Sequence, residues 1–278
     1  MKKVSLFVVI ALSTTLLCQK APQSLTHVDA CEKFSRAVIE IDAGGDERGT
    51  GFIVDPDGWV LTAAHIVFDR QARQYYRTIT VTMPDKSTEF ATPMGQLNEV
   101  MVLRDFAILK VNKTKLPFLP LGDEDKIAIG SNLTIIGFPF SAVGLFEIPV
   151  TTKFCLSGTV AARTTVPIQK VNIEMIYFQG ISVKGISGSP VISLDTGTVV
   201  GIADLKLAGI NEALHTAEVN LLDPSRGDFS TGGTSITKTI GDVIQTLDQH
   251  LANGLGAATG INDVKVALAS AKRHYKGK

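Results

Sequence analysis

Val183-Lys-Gly-Ile-Ser-Gly-Ser-Pro-Val191 places one serine, Ser187, between Gly185 and Gly188 and follows it with Pro190 and an apolar run. Glycines on both sides of a hydroxyl let the backbone bend sharply and turn N–H groups into the space in front of it. A hydroxyl beside inward-facing amides is what acyl transfer needs. A serine is a weak nucleophile at neutral pH, so this reading requires a base and a group that orients the base. Upstream, Thr62-Ala-Ala-His65-Ile-Val and Arg104-Asp105-Phe-Ala-Ile-Leu-Lys-Val111 offer a histidine at the end of one strand-like run and a carboxylate just before another. Each taken alone reads as a structural residue: a half-buried imidazole, a turn-forming aspartate. The three together, in the order His, Asp, Ser, are the set that a serine nucleophile needs.

Around these residues the chain reads as β structure. Phe52-Ile-Val54 and Trp59-Val-Leu-Thr62 flank Asp55-Pro-Asp-Gly58, whose turn chemistry predicts a hairpin rather than a metal site. Thr78-Ile-Thr-Val-Thr-Met83 alternates as a half-buried strand. Leu133-Thr-Ile-Ile-Gly137, Thr159-Val-Ala-Ala, Val171-Asn-Ile-Glu-Met-Ile, Val191-Ile-Ser and Val199-Val-Gly-Ile-Ala203 continue as short apolar runs separated by Gly, Asp and Thr. Such spacing predicts an all-β sandwich or barrel, without βαβ alternation. A short helix over Cys31, Phe34 and Val38 leads into it. At the other end Ile240, Val243, Ile244, Leu247 and Leu251 predict an amphipathic helix, and Val264, Leu268 and Ala271 predict a second, weaker one from Asn262 to about His274, ending in basic residues.

Lys and Arg together number 27 and Asp and Glu together 27, so net charge offers nothing to nucleic acid or to an anionic membrane. Met1-Lys2-Lys3 followed by the apolar run Val4 to Leu17 predicts a secretory signal within residues 1–21 and an exported protein with no transmembrane segment once it is removed. Cys18 ends that run and is a candidate lipid-anchor site, although bulky Leu17 stands where a small residue is expected. Cys31 and Cys155 remain. Export permits a disulfide between them, and two buried thiols fit the sequence equally well.

With Gly49-Thr-Gly-Phe-Ile-Val, Asp57-Gly-Trp-Val-Leu-Thr-Ala-Ala-His65-Ile-Val, Arg104-Asp105-Phe-Ala-Ile-Leu-Lys-Val and Gly185-Ile-Ser187-Gly-Ser-Pro-Val in this order, the chain resembles the chymotrypsin-fold serine peptidases, and among them the HtrA (Deg-type) group. Leu121-Gly-Asp-Glu-Asp-Lys-Ile-Ala-Ile-Gly130, Ile136-Gly-Phe-Pro-Phe140 and Ser157-Gly-Thr-Val are similar to that group's inter-barrel segment and second barrel. The resemblance runs from about Gly44 to Leu251. It implies two six-stranded antiparallel β-barrels, over 31–122 and 123–238, with C-terminal helices over 239–278. It also implies an endopeptidase acting on protein or peptide substrates with no metal or organic cofactor. Ser187 would be the nucleophile, His65 the general base, Asp105 its orienting carboxylate, and the N–H groups of Gly185 and Ser187 the oxyanion hole. Ile181, Ala203, Asp204 and Leu205 would line the substrate pocket, with a small or medium apolar residue as the preferred side chain. Relatives commonly form homo-oligomers. Ile186 stands where the group has a polar residue, Ser189 replaces a glycine, and no stretch resembles the group's C-terminal PDZ domain. The alternative expectation is a latent or non-catalytic binding protein of the same fold, with Ile186 disturbing the oxyanion loop.

Overall fold

The computed structural model describes residues 24–44, 48–69, 71–95, 99–139, 152–168, 170–180, 185–204, 230–231, 234–235, 237, 239–240 and 255–275. The first barrel is built from β1 (Val38–Asp42), β2 (Arg48–Asp55), β3 (Trp59–Thr62), β4 (Thr80–Thr82), β5 (Thr88–Pro93) and β6 (Ala107–Val111), closed in the order β1-β2-β3-β6-β5-β4. The second takes β7 (Asn132–Gly137), β8 (Phe154–Ile168), β9 (Val171–Gly180), β10 (Pro190–Ser193), β11 (Thr198–Asp204) and β12 (Leu255–Gly260), closed in the order β7-β8-β9-β12-β11-β10. Every pairing is antiparallel and the two orders are the same when each barrel is counted from its own first strand. The chain is two copies of one topology, as the resemblance implied.

The hairpin joining β2 to β3 forms as its sequence predicts. Asp57 N–H donates to Asp55 Oδ1 at 2.9 Å and Gly58 N–H to Asp55 O at 3.0 Å. Gly58 sits at φ +88°, and a Cβ there would stand 2.4 Å from the Val111 carbonyl, so only glycine fits. Strand faces then sort by period two. Ile53, Val60, Leu109 and Val111 fill the first barrel, while Phe52, Trp59, Leu61 and Ile108, one residue out of phase, face a layer shared with the second barrel. Ile136, Phe138, Ile192, Val199 and Ile202 meet them from the other side. Strands with both faces buried explain why these runs read as continuously apolar.

Two elements close that layer. Helix α1 (His27–Phe34) buries Ala30 and Phe34 in it. A disulfide joins Cys31 to Cys155 on β8 across a Cα–Cα distance of 6.0 Å, which decides between the two states the sequence left open. Helices α2 (Ala64–Val67) and α3 (Glu99–Leu103) are short connectors. Helix α4 (Asn262–His274) docks Val264 and Leu268 into the same layer, with Ala271 packed against it. Its basic end is not merely solvated: Lys272 Nζ pairs with Asp55 Oδ2 at 2.5 Å, and Tyr275 meets Trp59 edge to face at 5.5 Å.

The second barrel ends later than the sequence suggested. Its last strand, β12, is Leu255–Gly260, within the 239–278 stretch assigned to the C-terminal helices and in the gap between the two expected there. Leu-Gly-Ala-Ala-Thr-Gly has little side chain to show a period, and the place beside β9 needs that smallness: a Cβ on Gly256 would lie 2.3 Å from the Phe178 ring. The runs Thr159–Ala162 and Val171–Ile176 also extend further than expected, as the 15-residue β8 and 10-residue β9, with an irregularity between Val160 and Ala162. The expected helix from Ile240 to Leu251 lies mostly outside the described residues, as do residues 1–23, including the expected signal and Cys18. Among the described residues no helix is long and apolar enough to cross a membrane.

Candidate active site

β3 ends at Thr62 and the chain turns at once into α2, whose second residue is His65. Asp105 follows α3 at φ +50°, a left-handed conformation that short polar side chains tolerate better than others. The two segments are tied along their backbones, Ala64 N–H donating to Asp105 O at 3.1 Å. The side chains complete the tie. Asp105 Oδ1 accepts His65 N–H at 3.0 Å, and Asp105 Oδ2 lies 2.5 Å from His65 Nδ1. Asp105 is buried and His65 half-buried. An ionised carboxylate only accepts, so it selects the tautomer with the proton on Nδ1 and leaves Nε2 as the basic atom.

The Ser187 loop is seated on the first barrel by Thr50, in β2. Thr50 N–H donates to Ser187 O at 3.0 Å, Thr50 Oγ1 donates to Gly185 O at 2.8 Å, and the same Oγ1 accepts Phe138 N–H at 3.0 Å. Thr62 Oγ1 in turn donates to Thr50 O at 2.8 Å. Gly188, at φ +81°, lets the loop lie flat against this strand end: a Cβ there would stand 2.1 Å from Thr50 O, 2.6 Å from Thr62 Oγ1 and 3.0 Å from Ala63 N. The loop carrying Ser187 therefore packs against the backbone two residues before His65.

On its other side the loop is fixed to the second barrel. Gly188 N–H donates to Ala203 O at 2.8 Å and Ala203 N–H to Ser189 O at 2.9 Å. Ile186 is 1% exposed, among Leu133, Ile135, Val191, Val200 and Ala203 in the second barrel's core. The apolar residue at this position pins the loop inward. Gly185 is at φ +99°, and among the described residues no acceptor lies within hydrogen-bonding range of the N–H of Gly185 or of Ser187. Ser187 is itself 5% exposed, and among the described residues no hydrogen bond joins its Oγ to His65.

Of the expected pocket residues, Ile181 and Leu205 lie outside the described set. Ala203 is buried against the nucleophile loop. Asp204 is 7% exposed, and a carboxylate oxygen of it lies within 4.8 Å of both the His65 ring nitrogen and the Asp105 carboxylate. One imidazole and two carboxylates resemble the makings of a metal centre, but Nδ1 is committed to Asp105, and we assign no metal there. Sequence reasoning missed Thr50. Its only signal is that it stands between Gly49 and Gly51, two residues whose missing side chains admit close backbone approach.

A trypsin-like peptidase domain model matches residues 49–202. The chain is 32% identical over 252 residues to serine protease HTRA1 of Xenopus laevis, covering 83% of this chain and 51% of that protein. It is 29% identical over 163 residues to a probable periplasmic serine endoprotease, DegP-like, of Chlamydia pneumoniae, covering 58% of this chain and 29% of that protein. A solved structure of the HtrA-type protease AlgW with a tripeptide superposes with a TM-score of 0.58 at 18% identity, covering 90% of this chain and 64% of that one. The chain thus spans about half the length, or less, of these protein relatives. On the matched domain and the double barrel, the chain belongs to the trypsin-like peptidase family and is similar within it to the HtrA-type proteases.

Proposed function

We propose that this protein is an exported serine endopeptidase that cleaves peptide bonds of protein substrates through an acyl-enzyme. Ser187 Oγ attacks the scissile carbonyl, His65 Nε2 takes its proton and returns it to the leaving amine, and Asp105 holds the imidazole in that tautomer and stabilises the imidazolium. The N–H groups of Gly185 and Ser187 receive the charge that develops on the carbonyl oxygen. In other serine peptidases the loss of one such donor costs about 3–4 kcal/mol of transition-state stabilisation.

The observation that carries this reading is the double attachment of His65 to Asp105 beside a serine loop whose Gly185 and Ser187 carbonyls are both tied back to Thr50. With those carbonyls engaged, the loop's free N–H groups are the polar atoms left for a substrate. Export is supported by the apolar run before Cys18, by the Cys31–Cys155 disulfide, and by the periplasmic relative. Ala203 beside the nucleophile supports a pocket lined by small apolar residues, with Ile181 and Leu205 as its further members. The domain division at about residue 122 and assembly into homo-oligomers are parts of the same proposal.

One observation favours the latent alternative, the missing hydrogen bond between Ser187 Oγ and His65. Catalytic hydrogen bonds are often long in the absence of substrate, and an active resting enzyme accommodates this. A fluorophosphonate probe separates the two readings. Labelling of the mature protein that is abolished in Ser187→Ala and His65→Ala supports the peptidase. Folded protein that stays unlabelled across pH and in the presence of candidate peptides sinks the constitutive enzyme and leaves the latent one.

A further inference from the structure

Away from the nucleophile loop, α1 brings a histidine up to the disulfide. His27 and Cys31 are four residues apart and so share one face of that helix. His27 Nε2 lies 3.6 Å from Cys31 Sγ. The other ring nitrogen is held from the second barrel, where Nδ1 stands 2.5 Å from Oγ1 of Thr134, a fully buried residue of β7. In the pairing of β7 with β8, Thr134 is opposite Ser157 and Ile136 is opposite Cys155, so Thr134 and Cys155 lie on one face of the sheet. The His27 ring nitrogen and the two sulfurs all lie within 4.8 Å of one another.

A disulfide needs two cysteines and no imidazole. A ring pinned through its far nitrogen to a buried hydroxyl is what a metal-ligating histidine has: the far nitrogen gives its proton to a fixed partner, which sets the tautomer and leaves the near nitrogen's lone pair for the metal. The spacing fits as well. In a tetrahedral zinc site, with Zn–N about 2.0–2.1 Å and Zn–S about 2.3 Å, a nitrogen and a sulfur stand roughly 3.6 Å apart and two sulfurs roughly 3.8 Å. His27 and Cys31 already have the first of these separations. Only the two sulfurs must part, on residues whose Cα atoms are 6.0 Å apart. His27 and Cys155 also line an open hollow of about 890 Å³ with Thr26, Asn132, Ser157 and Gln179, which admits a small reductant and leaves one coordination position to water.

We propose that His27, Cys31 and Cys155 form a zinc site that takes the place of the disulfide when that bond is reduced. A dithiol reductant breaks the S–S bond, giving it two electrons and two protons and closing to a disulfide itself. Zinc(II) then binds His27 Nε2 and both sulfurs, displaces the two thiol protons to solvent and takes water as its fourth ligand. Thiolate and imidazole are donors that suit this ion. The tie between α1 and β8 is thereby kept in both redox states, covalent in one and through the metal in the other. The site asks nothing of Ser187 and stands whether or not the peptidase reading does.

The test uses protein carrying Cys18→Ser, in which Cys31 and Cys155 are the cysteines that remain of the chain's three. It is reduced with a dithiol, freed of the reductant without air, and titrated with cobalt(II) as a coloured substitute for zinc. One equivalent should give a near-ultraviolet sulfur-to-cobalt charge-transfer band together with the visible bands of a tetrahedral ion, and zinc should displace it. Oxidised protein should give neither. Cys155→Ser should lose most of the charge-transfer band, Thr134→Val should weaken binding about 10- to 100-fold, and His27→Ala should weaken it at least as much. Zinc should also raise the Tm of the reduced protein and leave that of the oxidised protein unchanged, since an ion stabilises only a native state that binds it. If reduction by itself unfolds the chain, zinc should restore the native circular dichroism. Reduced protein that gives no band and gains neither Tm nor fold from zinc overturns the proposal. So does binding that His27→Ala leaves as tight as before, because two thiols would then be chelating the ion without the ring.

Discussion

Asp105 holds His65 at two points, through the main-chain N–H at 3.0 Å and through Nδ1 at 2.5 Å, so a single carboxylate fixes both the start of α2 and the plane of the ring. Asp105→Asn separates these duties. Asparagine is among the few residues at ease at φ +50°, and its Oδ1 can still accept the main-chain N–H. Its amide would have to face Nδ1 with a donor, which selects the wrong tautomer. The variant should fold with an unchanged Tm to within about 2 °C and lose about 10⁴-fold in kcat, the size seen when this change is made in another serine protease. Thermal unfolding and peptide or ester hydrolysis check the two halves.

Thr50 is the residue through which the first barrel shapes the nucleophile loop. Thr50→Val keeps the β-branched shape and removes the hydroxyl, leaving Gly185 O and Phe138 N–H buried without it. Unpaired buried groups cost about 1–3 kcal/mol. The peptide plane after Gly185 also loses its anchor. Activity should therefore fall through kcat more than through KM, and fluorophosphonate labelling should slow in step. A labelling rate equal to wild type would show that the loop holds its shape without Thr50.

His65, Asp105 and Ser187 were legible as candidates because each stands in a run whose local pattern is strong: a strand ending in Ala-Ala-His, a carboxylate before an apolar strand, a serine between glycines. The barrels were legible from the period and punctuation of those runs. β12 was not, because a strand of Gly, Ala and Thr has no apolar period to show, and its smallness answers to Phe178, some eighty residues away in the chain. Asp204 read as a pocket residue from its place in the chain relative to Ser187. Its approach to Asp105 depends on how the two barrels face each other, which no local pattern contains. The same holds for the disulfide, whose cysteines stand 124 residues apart.

That separation makes the Cys31–Cys155 bond a strong constraint on the unfolded chain. It closes a loop that holds the whole first barrel and the first strand of the second, and it anchors α1 to β8 at the edge of the shared apolar layer. Cys31→Ser with Cys155→Ser should lower stability by about 2–5 kcal/mol, with the loss visible as a lower Tm. Wild-type protein measured with a reductant should converge on the double variant. If reductant left Tm unchanged while titration showed two free thiols, the bond would carry no stability.

Lys153 is a half-buried cation whose Nζ donates to Ser35 O at 2.5 Å and lies 5.4 Å from the centre of the Phe138 ring. Burial pulls its pKa down from 10.5 to about 8. A lowered folded-state value means that the unfolded chain binds more protons between about pH 8 and 10.5, so stability rises with pH across that window and the penalty is complete below 8. Lys153→Met removes the titration. Urea midpoints should show the variant gaining most over wild type below pH 8, with the gap narrowing by pH 10. A gap independent of pH would place the ammonium in water.

Glu124 caps α4 from across the barrel junction. The helix begins after Ile261, which offers no capping side chain, and Glu124 Oε2 accepts the N–H groups of Ile261 at 3.1 Å and Asn262 at 2.7 Å. Gly260 makes room for it, since a Cβ there would stand 2.7 Å from Oε1. Burial raises the carboxyl above its usual range, against the pull of these hydrogen bonds, and Asp125 adds to the rise. A raised value means that the favourable contribution is complete below the unfolded value of 4.5 and is lost as pH climbs through the folded one. Glu124→Gln keeps the acceptor and discards the charge, so its Tm relative to wild type should be higher at pH 7 than at pH 4. Glu124→Ala, which strands two N–H groups, should cost about 1–3 kcal/mol at both. A glutamine variant that instead loses ground at pH 7 would mean that attraction between the carboxylate and the helix N-terminus outweighs the cost of burying it.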